Sequence, residues 1–120
     1  MKQLFLLVTG LFATLSSIAQ SSKVTGSVSN ADEKKPVHNA VVALLTPKDS
    51  ILYKFTRTNA SGKFIFNDVK HGNYILMTTH PYFADLLDNV QVTSDIELPE
   101  LNLISKAKLL QEVIVKSGSG

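Results

Sequence analysis

No cysteine occurs among the 120 residues, which rules out disulfides, thiolate metal sites, a cysteine nucleophile and a lipid anchor on cysteine. Excess charge is also missing. Twelve Lys and Arg stand against ten Asp and Glu, a net +2, so composition gives no electrostatic case for nucleic acid or an anionic membrane surface. Arginine appears once, as Arg57. The histidines, His38, His71 and His80, lack HExxH or any comparable ligand spacing. No GxSxG elbow, GxGxxG loop or Walker-type loop is present. The acidic residues are scattered. Asp85 and Asp88, three positions apart among apolar neighbours, are expected on a solvated face rather than at an acid–base site. No catalytic, cofactor-binding or metal-binding residue is nominated, no cofactor is expected, and the chain reads as a non-enzyme.

What is present begins with a distinct N-terminal object. Lys2 gives a positive start, Leu4 to Leu15 is an apolar run without charge, and Ser17-Ile18-Ala19 places small residues at positions −3 and −1 of a cleavage site. This is the pattern of a secretory signal peptide over residues 1–19. The run falls short of the roughly 20 residues that span a bilayer as a helix. Loss of Lys2 leaves eleven basic against ten acidic residues.

From residue 22 to 104 the pattern is that of strands. Val24, Gly26 and Val28 alternate with Thr25, Ser27 and Ser29, and a charged loop ending at Pro36 follows. Ala40 to Thr46 is almost continuously apolar (AVVALL), as in a strand covered on both faces. Ile51 to Thr58 returns with Ile51, Tyr53 and Phe55 on one face. The most ordered stretch is Thr58 to Leu76. Asn59-Ala60-Ser61-Gly62 is turn chemistry before KFIF, and Asp68 to Asn73 repeats it before NYIL. Phe64 with Phe66, and Tyr74 with Leu76, point to a common interior, and the stretch reads as a β-hairpin. Tyr82 to Val92 is open between a turn of helix and a strand, and Ile96 to Ile104 alternates again around Pro99. About seven short strands at 8–12-residue spacing imply an all-β, seven-stranded antiparallel sandwich. Tyr53, Tyr74 and Tyr82 fit core packing better than a sugar-stacking platform. Asn59-Ala60-Ser61 matches a glycosylation sequon, but its turn role accounts for it.

Residues 105–120 form a linker. Within it Leu109 to Val115 (LLQEVIV) is strand-like and lies beyond the sandwich, and a flexible Ser-Gly tail follows. The strand Leu110, Gln111, Glu112, Val113, Ile114 and Val115 is the one candidate partner-binding element, an apolar segment suited to adding to another sheet's edge.

Taken together, VTGSV, then Pro36, Ala40 and Val42, then TNASGKFIF, then Val69, Gly72 and Tyr74 resemble the carboxypeptidase regulatory-like domain over about Lys23 to Ile104. The resemblance implies a sandwich of transthyretin (prealbumin)-like topology. Where the family often has Gly-x-Pro before the second strand, this chain has Lys34-Lys35-Pro36, and Asn59 stands where Asp is commoner. Leu110 to Val115 resembles the L-x-E-V-V-V segment that follows this module in TonB-dependent outer-membrane receptors of the Bacteroidetes type, ahead of a plug and a barrel. That order implies a non-catalytic periplasmic accessory domain at the outer membrane. Its partners would be the plug and barrel of the same receptor, and TonB. The alternative is a free-standing secreted binding module for carbohydrate. A transthyretin-like hydrolase shares the topology only, since its convergent His, Arg and Ser set finds no match around Arg57.

Overall fold

The computed structural model describes residues 20–111. The expected signal peptide and Glu112 to Val115 lie outside the described residues. Turn-forming loops divide the chain into strands β1 (Ser21–Asn30), β2 (Val41–Leu45), β3 (Leu52–Arg57), β4 (Lys63–Lys70), β5 (Gly72–His80), β6 (Phe83–Val92), β7 (Ile96–Glu97) and β8 (Leu101–Leu103). They form two sheets. One has the order β4-β1-β7, with β8 also on β1, and the other has the order β3-β2-β5-β6. The ambiguous stretch before Val92 is therefore strand, which its alternation of Leu86, Val90 and Val92 toward the interior supports.

The expected all-β sandwich is present, with two refinements. β7 and β8 run parallel to β1, whereas every other pairing is antiparallel. They also occupy one lane in succession. Val24 faces Ile96 and Val28 faces Leu101, so the register slips by one across Leu98-Pro99-Glu100. Proline has no N–H for the ladder, so the lane breaks there. Eight strands thus fill the seven positions expected.

The predicted hairpin between β4 and β5 does not form. β4 pairs with β1, while β5 lies between β2 and β6 in the other sheet. Only His71 separates the two strands, and even the tightest common hairpin loop needs two residues. The chain instead steps from one sheet to the other, so that Phe64 and Phe66 meet Tyr74 and Leu76 across the interior. A bulge prepares this step. Ser22 faces Val69 but Val24 faces Phe66, leaving Asn67 and Asp68 opposite Lys23. Asp68 takes the left-handed region (φ 54), and the extra residue resets the strand's parity so that Phe64, Phe66 and Val69 all point inward.

The core joins Val24, Val28, Val42, Leu44, Leu76, Val92 and Leu103 with these aromatics. Gly26, opposite Phe64 in the ladder, makes room for it, since a Cβ there would sit 2.4 Å from the ring. Thr58 ties the β1–β2 loop to the end of β3. Its buried hydroxyl accepts from Ala40 N (2.9 Å) and donates to Val37 O (2.7 Å).

The turn before β4 is built as its residues imply. Asn59 Oδ1 accepts from Ser61 N (2.9 Å) and Lys63 N (3.0 Å), the role expected of Asn or Asp here. Gly62 has φ 74, and its carbonyl accepts from Val28 N at 2.7 Å. A Cβ on Gly62 would lie 2.5 Å from Val28 O. The other turn carries the departure from the family pattern. Lys34 stands where the resemblance has Gly, and it adopts φ 58. Gly62→Ala is expected to cost about 2–4 kcal/mol in denaturant unfolding, from unfavourable φ plus overpacking. Lys34→Gly is expected to leave stability unchanged or to raise it by up to about 1 kcal/mol, because relief of the left-handed strain offsets glycine's entropy.

Candidate functional site

His38 and His71 are exposed and His80 is half-buried, each in a different part of the sandwich. Among the described residues no three His, Cys, Asp or Glu side chains converge to hold a metal ion. Asp85 and Asp88 are both exposed. They lie on β6, so their three-residue separation sends them to opposite faces. Ser22 Oγ and His71 Nε2 are 2.8 Å apart, which has the look of a nucleophile–base pair. Among the described residues no carboxylate is hydrogen-bonded to His71, and Asp95 accepts from Lys23 N (2.8 Å). The contact fastens β1 to the one-residue link between the sheets.

The tyrosines do not form a platform. Tyr53 and Tyr74 stack on each other (5.2 Å between centroids, 15° between planes) at the margin of the core. Tyr82 is 76% exposed and sits beside His80. Tyr74 Oη donates to Lys70 O at 2.6 Å. Burial first, and the adjoining Tyr53 second, push its phenol above the ordinary value of 10.0.

The sandwich edges differ in how they are closed. Between β3 and β4 side chains occupy the unpaired backbone. Lys70 N donates to Tyr53 Oη (3.1 Å) and Lys54 Nζ donates to Asn67 O (2.9 Å). At the start of β6, Ala84 N donates to Ile104 O and Lys106 N donates to Tyr82 O. Among the described residues, the remainder of β6 has β5 on one side and no strand on the other. Asp85 and Asp88 mark that edge with charge.

The two outer faces differ more sharply. On the β4-β1-β7 sheet, Thr25 lies between Ile65 and Glu97, and Ser27 faces Lys63, a mostly polar surface. On the other sheet a continuous apolar row crosses all its strands, Phe55–Ala43–Met77–Leu87. The adjacent row is Leu52–Leu45–Ile75. Phe55 and Leu87 are 59% and 61% exposed. The run AVVALL implies cover on both faces of β2. The core covers Val42 and Leu44 on the inner face, and on the outer face Ala43 is buried between its ladder neighbours Phe55 and Met77 while Val41 and Leu45 are half-buried. The failure of Val41 to Leu45 to alternate is the sequence signal for this surface, whereas Phe55 and Leu87 taken singly would pass as ordinary.

The candidate partner strand is placed only at its start, and that start is not a strand. Residues 106–111 are helical, with Leu110 and Gln111 exposed. Ser105 caps the turn. Its Oγ accepts from Lys108 N (3.2 Å) and its carbonyl from Leu109 N (3.0 Å). Lys-Ala-Lys-Leu-Leu-Gln are strong helix formers, which decides the local structure ahead of the β-branched residues that follow. Lys108 also pairs with Asp32 of the β1–β2 loop, and Glu112, Val113, Ile114 and Val115 lie outside the described residues.

The family model for the carboxypeptidase regulatory-like domain matches residues 23–102, which span both sheets from β1 to β8. The chain belongs to that family. The family is one of small β-sandwich accessory domains, and a non-catalytic role is the coarse reading it supports. No curated protein matches the sequence. Among solved structures, a type II cohesin–X-dockerin complex from Acetivibrio cellulolyticus is similar at TM-score 0.57 and 21% identity, covering 70% of this chain and 58% of that one. A group B streptococcus pilus backbone protein matches at TM-score 0.56 and 12% identity, over 76% and 43%. A DUF3823 family protein from Bacteroides uniformis matches at TM-score 0.57 and 15% identity, over 70% and 43%. At these identities the likeness is one of fold. The chain spans about half the length of these solved chains.

Tyr74 provides a pH readout of this packing. Because its folded phenol is raised, its contribution to stability is complete below the unfolded value and is lost as pH climbs through the folded one. Unfolding free energy is therefore expected to fall above pH ~10. Tyr74→Phe should remove that part of the decline, together with a late component of the tyrosine absorbance titration.

Proposed function

We propose that this carboxypeptidase regulatory-like domain is a non-catalytic periplasmic accessory module at the N-terminus of a TonB-dependent outer-membrane receptor. The observation that carries the reading is one of order. A signal-peptide pattern, a family-matched sandwich over 23–102 and Leu-Gln-Glu-Val-Ile-Val at 110–115 follow one another with only a short connection between the last two. The fold supports this by what it does with the connection. Ala84 and Tyr82 hold Ile104 and Lys106 by backbone bonds, and Lys108 pairs with Asp32. The chain therefore leaves the sandwich at a defined point.

In this reading the sandwich acts through surfaces. Leu110 to Val115 is the segment that contacts TonB, and it does so by adding an extended strand to the partner's sheet edge. The helical residues Leu110 and Gln111 must then unwind. A helical segment of only six residues (106–111) is marginal by itself, so the cost is small. Extended backbone supplies the affinity of such contacts, and alternate side chains supply the selectivity.

Deleting residues 110–115 is expected to abolish binding of the chain to a purified TonB C-terminal domain, measured by calorimetry. Binding that survives the deletion unchanged would remove the segment from this role.

A further inference from the structure

The charges of this chain nearly cancel, but they are sorted along it. Residues 34 to 70 hold seven Lys and Arg against Asp49 and Asp68, whereas residues 71 to 105 hold five Asp and Glu and no Lys or Arg. The topology carries that sorting to opposite edges of the sandwich. β3 and β4 lie side by side at one edge, with Lys54, Arg57, Lys63 and Lys70. β6 lies beside β8 at the other, with Asp85 and Asp88. Among the described residues neither of these two carboxylates has a hydrogen-bond or ion-pair partner.

The apolar row of the β3-β2-β5-β6 sheet ends at the same two edges. Its ends, Phe55 and Leu87, are exposed, while Ala43 between them is buried. Every pairing in this sheet is antiparallel, so β3 and β6 run in opposite senses. A second copy in the same orientation would therefore bring its β3 antiparallel to β6. Placing Leu87 opposite Phe55 fixes the rest of that register. Leu86 then meets Thr56, and both charge pairs fall into place, Asp85 against Arg57 and Asp88 against Lys54. The faces agree as well. Leu86 and Asp88 are ladder partners of the inward Thr78 and Leu76, as Thr56 and Lys54 are of the inward Val42 and Leu44. Asp85 and Arg57 line one hollow on the outer face. The window is open on both strands, since β3 ends at Arg57 and residues 104–106 close β6 only around Ala84. Lys54 and Arg57 each donate one bond, to Asn67 O and Asn39 Oδ1, and both cations keep further N–H donors.

We propose that β6 of one copy adds antiparallel to β3 of a second copy, with Leu87 beside Phe55, Asp85 against Arg57 and Asp88 against Lys54. Opposite charges and apolar side chains across a ladder favour it, and like charges directly opposite disfavour it. The acidic edge thus turns away a second β6 and admits β3. Because the two edges differ, the contact is head-to-tail rather than two-fold. One strand pair buries little surface, so the association is weak and depends on concentration. It is independent of the receptor reading.

The chain has no cysteine, so Phe55→Cys and Leu87→Cys place single thiols at the two exposed ends of the row. Whole chains, produced in an exporting host and shown to be folded by circular dichroism, are oxidised singly and as an equal mixture. The disulfide-linked dimer is expected to form several-fold faster in the mixture than in either variant alone, and more slowly at high salt. Adding Asp85→Arg to the Leu87→Cys chain should remove that advantage, and pairing it with Phe55→Cys/Arg57→Asp should restore it. Variants that link to themselves as fast as to each other would overturn the proposal. So would a mixed dimer indifferent to the charge changes.

Discussion

The connection at His71 is the constraint on which the rest of the sandwich depends. One residue cannot turn a strand back on its neighbour, so β4 and β5 are forced into different sheets. That single step puts Phe64 and Phe66 on one wall of the core and Tyr74 and Leu76 on the other. β4 then has only β1 to pair with, and β5 becomes a central strand with β2 and β6 at its sides. The bulge at Asp68 and the Ser22–His71 hydrogen bond belong to the same device. The bulge turns Val69 inward ahead of the step, and the hydrogen bond fastens the step to the first strand.

Much of this was legible, and the part that was not has a physical cause. Alternation reports which face a side chain takes, and it placed Phe64, Phe66, Tyr74 and Leu76 in the interior correctly. Faces are not partners, however. Two alternating runs separated by turn-forming residues look the same whether they pair or part, and only the count of residues outside the strands distinguishes them. Asn59 and Gly62 were readable because a turn with a left-handed glycine and a side-chain acceptor leaves few residue choices. Lys34 was not readable as a left-handed residue, since nothing in its side chain favours that conformation. The exit segment misled through composition. Val113 to Val115 are strong strand formers, but Ser105 and the unbranched residues after it set the structure where the segment begins.

An uninterrupted apolar β2 predicts two covered faces. The core covers the inner one, and on the outer one Ala43 is buried among side chains of its own sheet while Phe55 and Leu87 stay exposed. Edges, by contrast, are largely managed. Tyr53 and Lys54 occupy the seam at β4, residues 104–106 close the start of β6, and acidic side chains mark the rest of that strand. With guarded edges and the exposed Phe55 and Leu87 on one outer face, the described residues present apolar surface for contact. The chain's family, a small accessory sandwich, agrees with that coarse reading.

The central functional claim is that this sandwich leads an outer-membrane receptor, and the direct measurement is its natural context. Antibody raised against the folded sandwich should be used on fractionated cells of the native source. The account predicts a single species in the outer-membrane fraction, much larger than the 13.1 kDa of this chain and resistant to salt extraction. A small species released with the soluble periplasmic or extracellular fraction would contradict it.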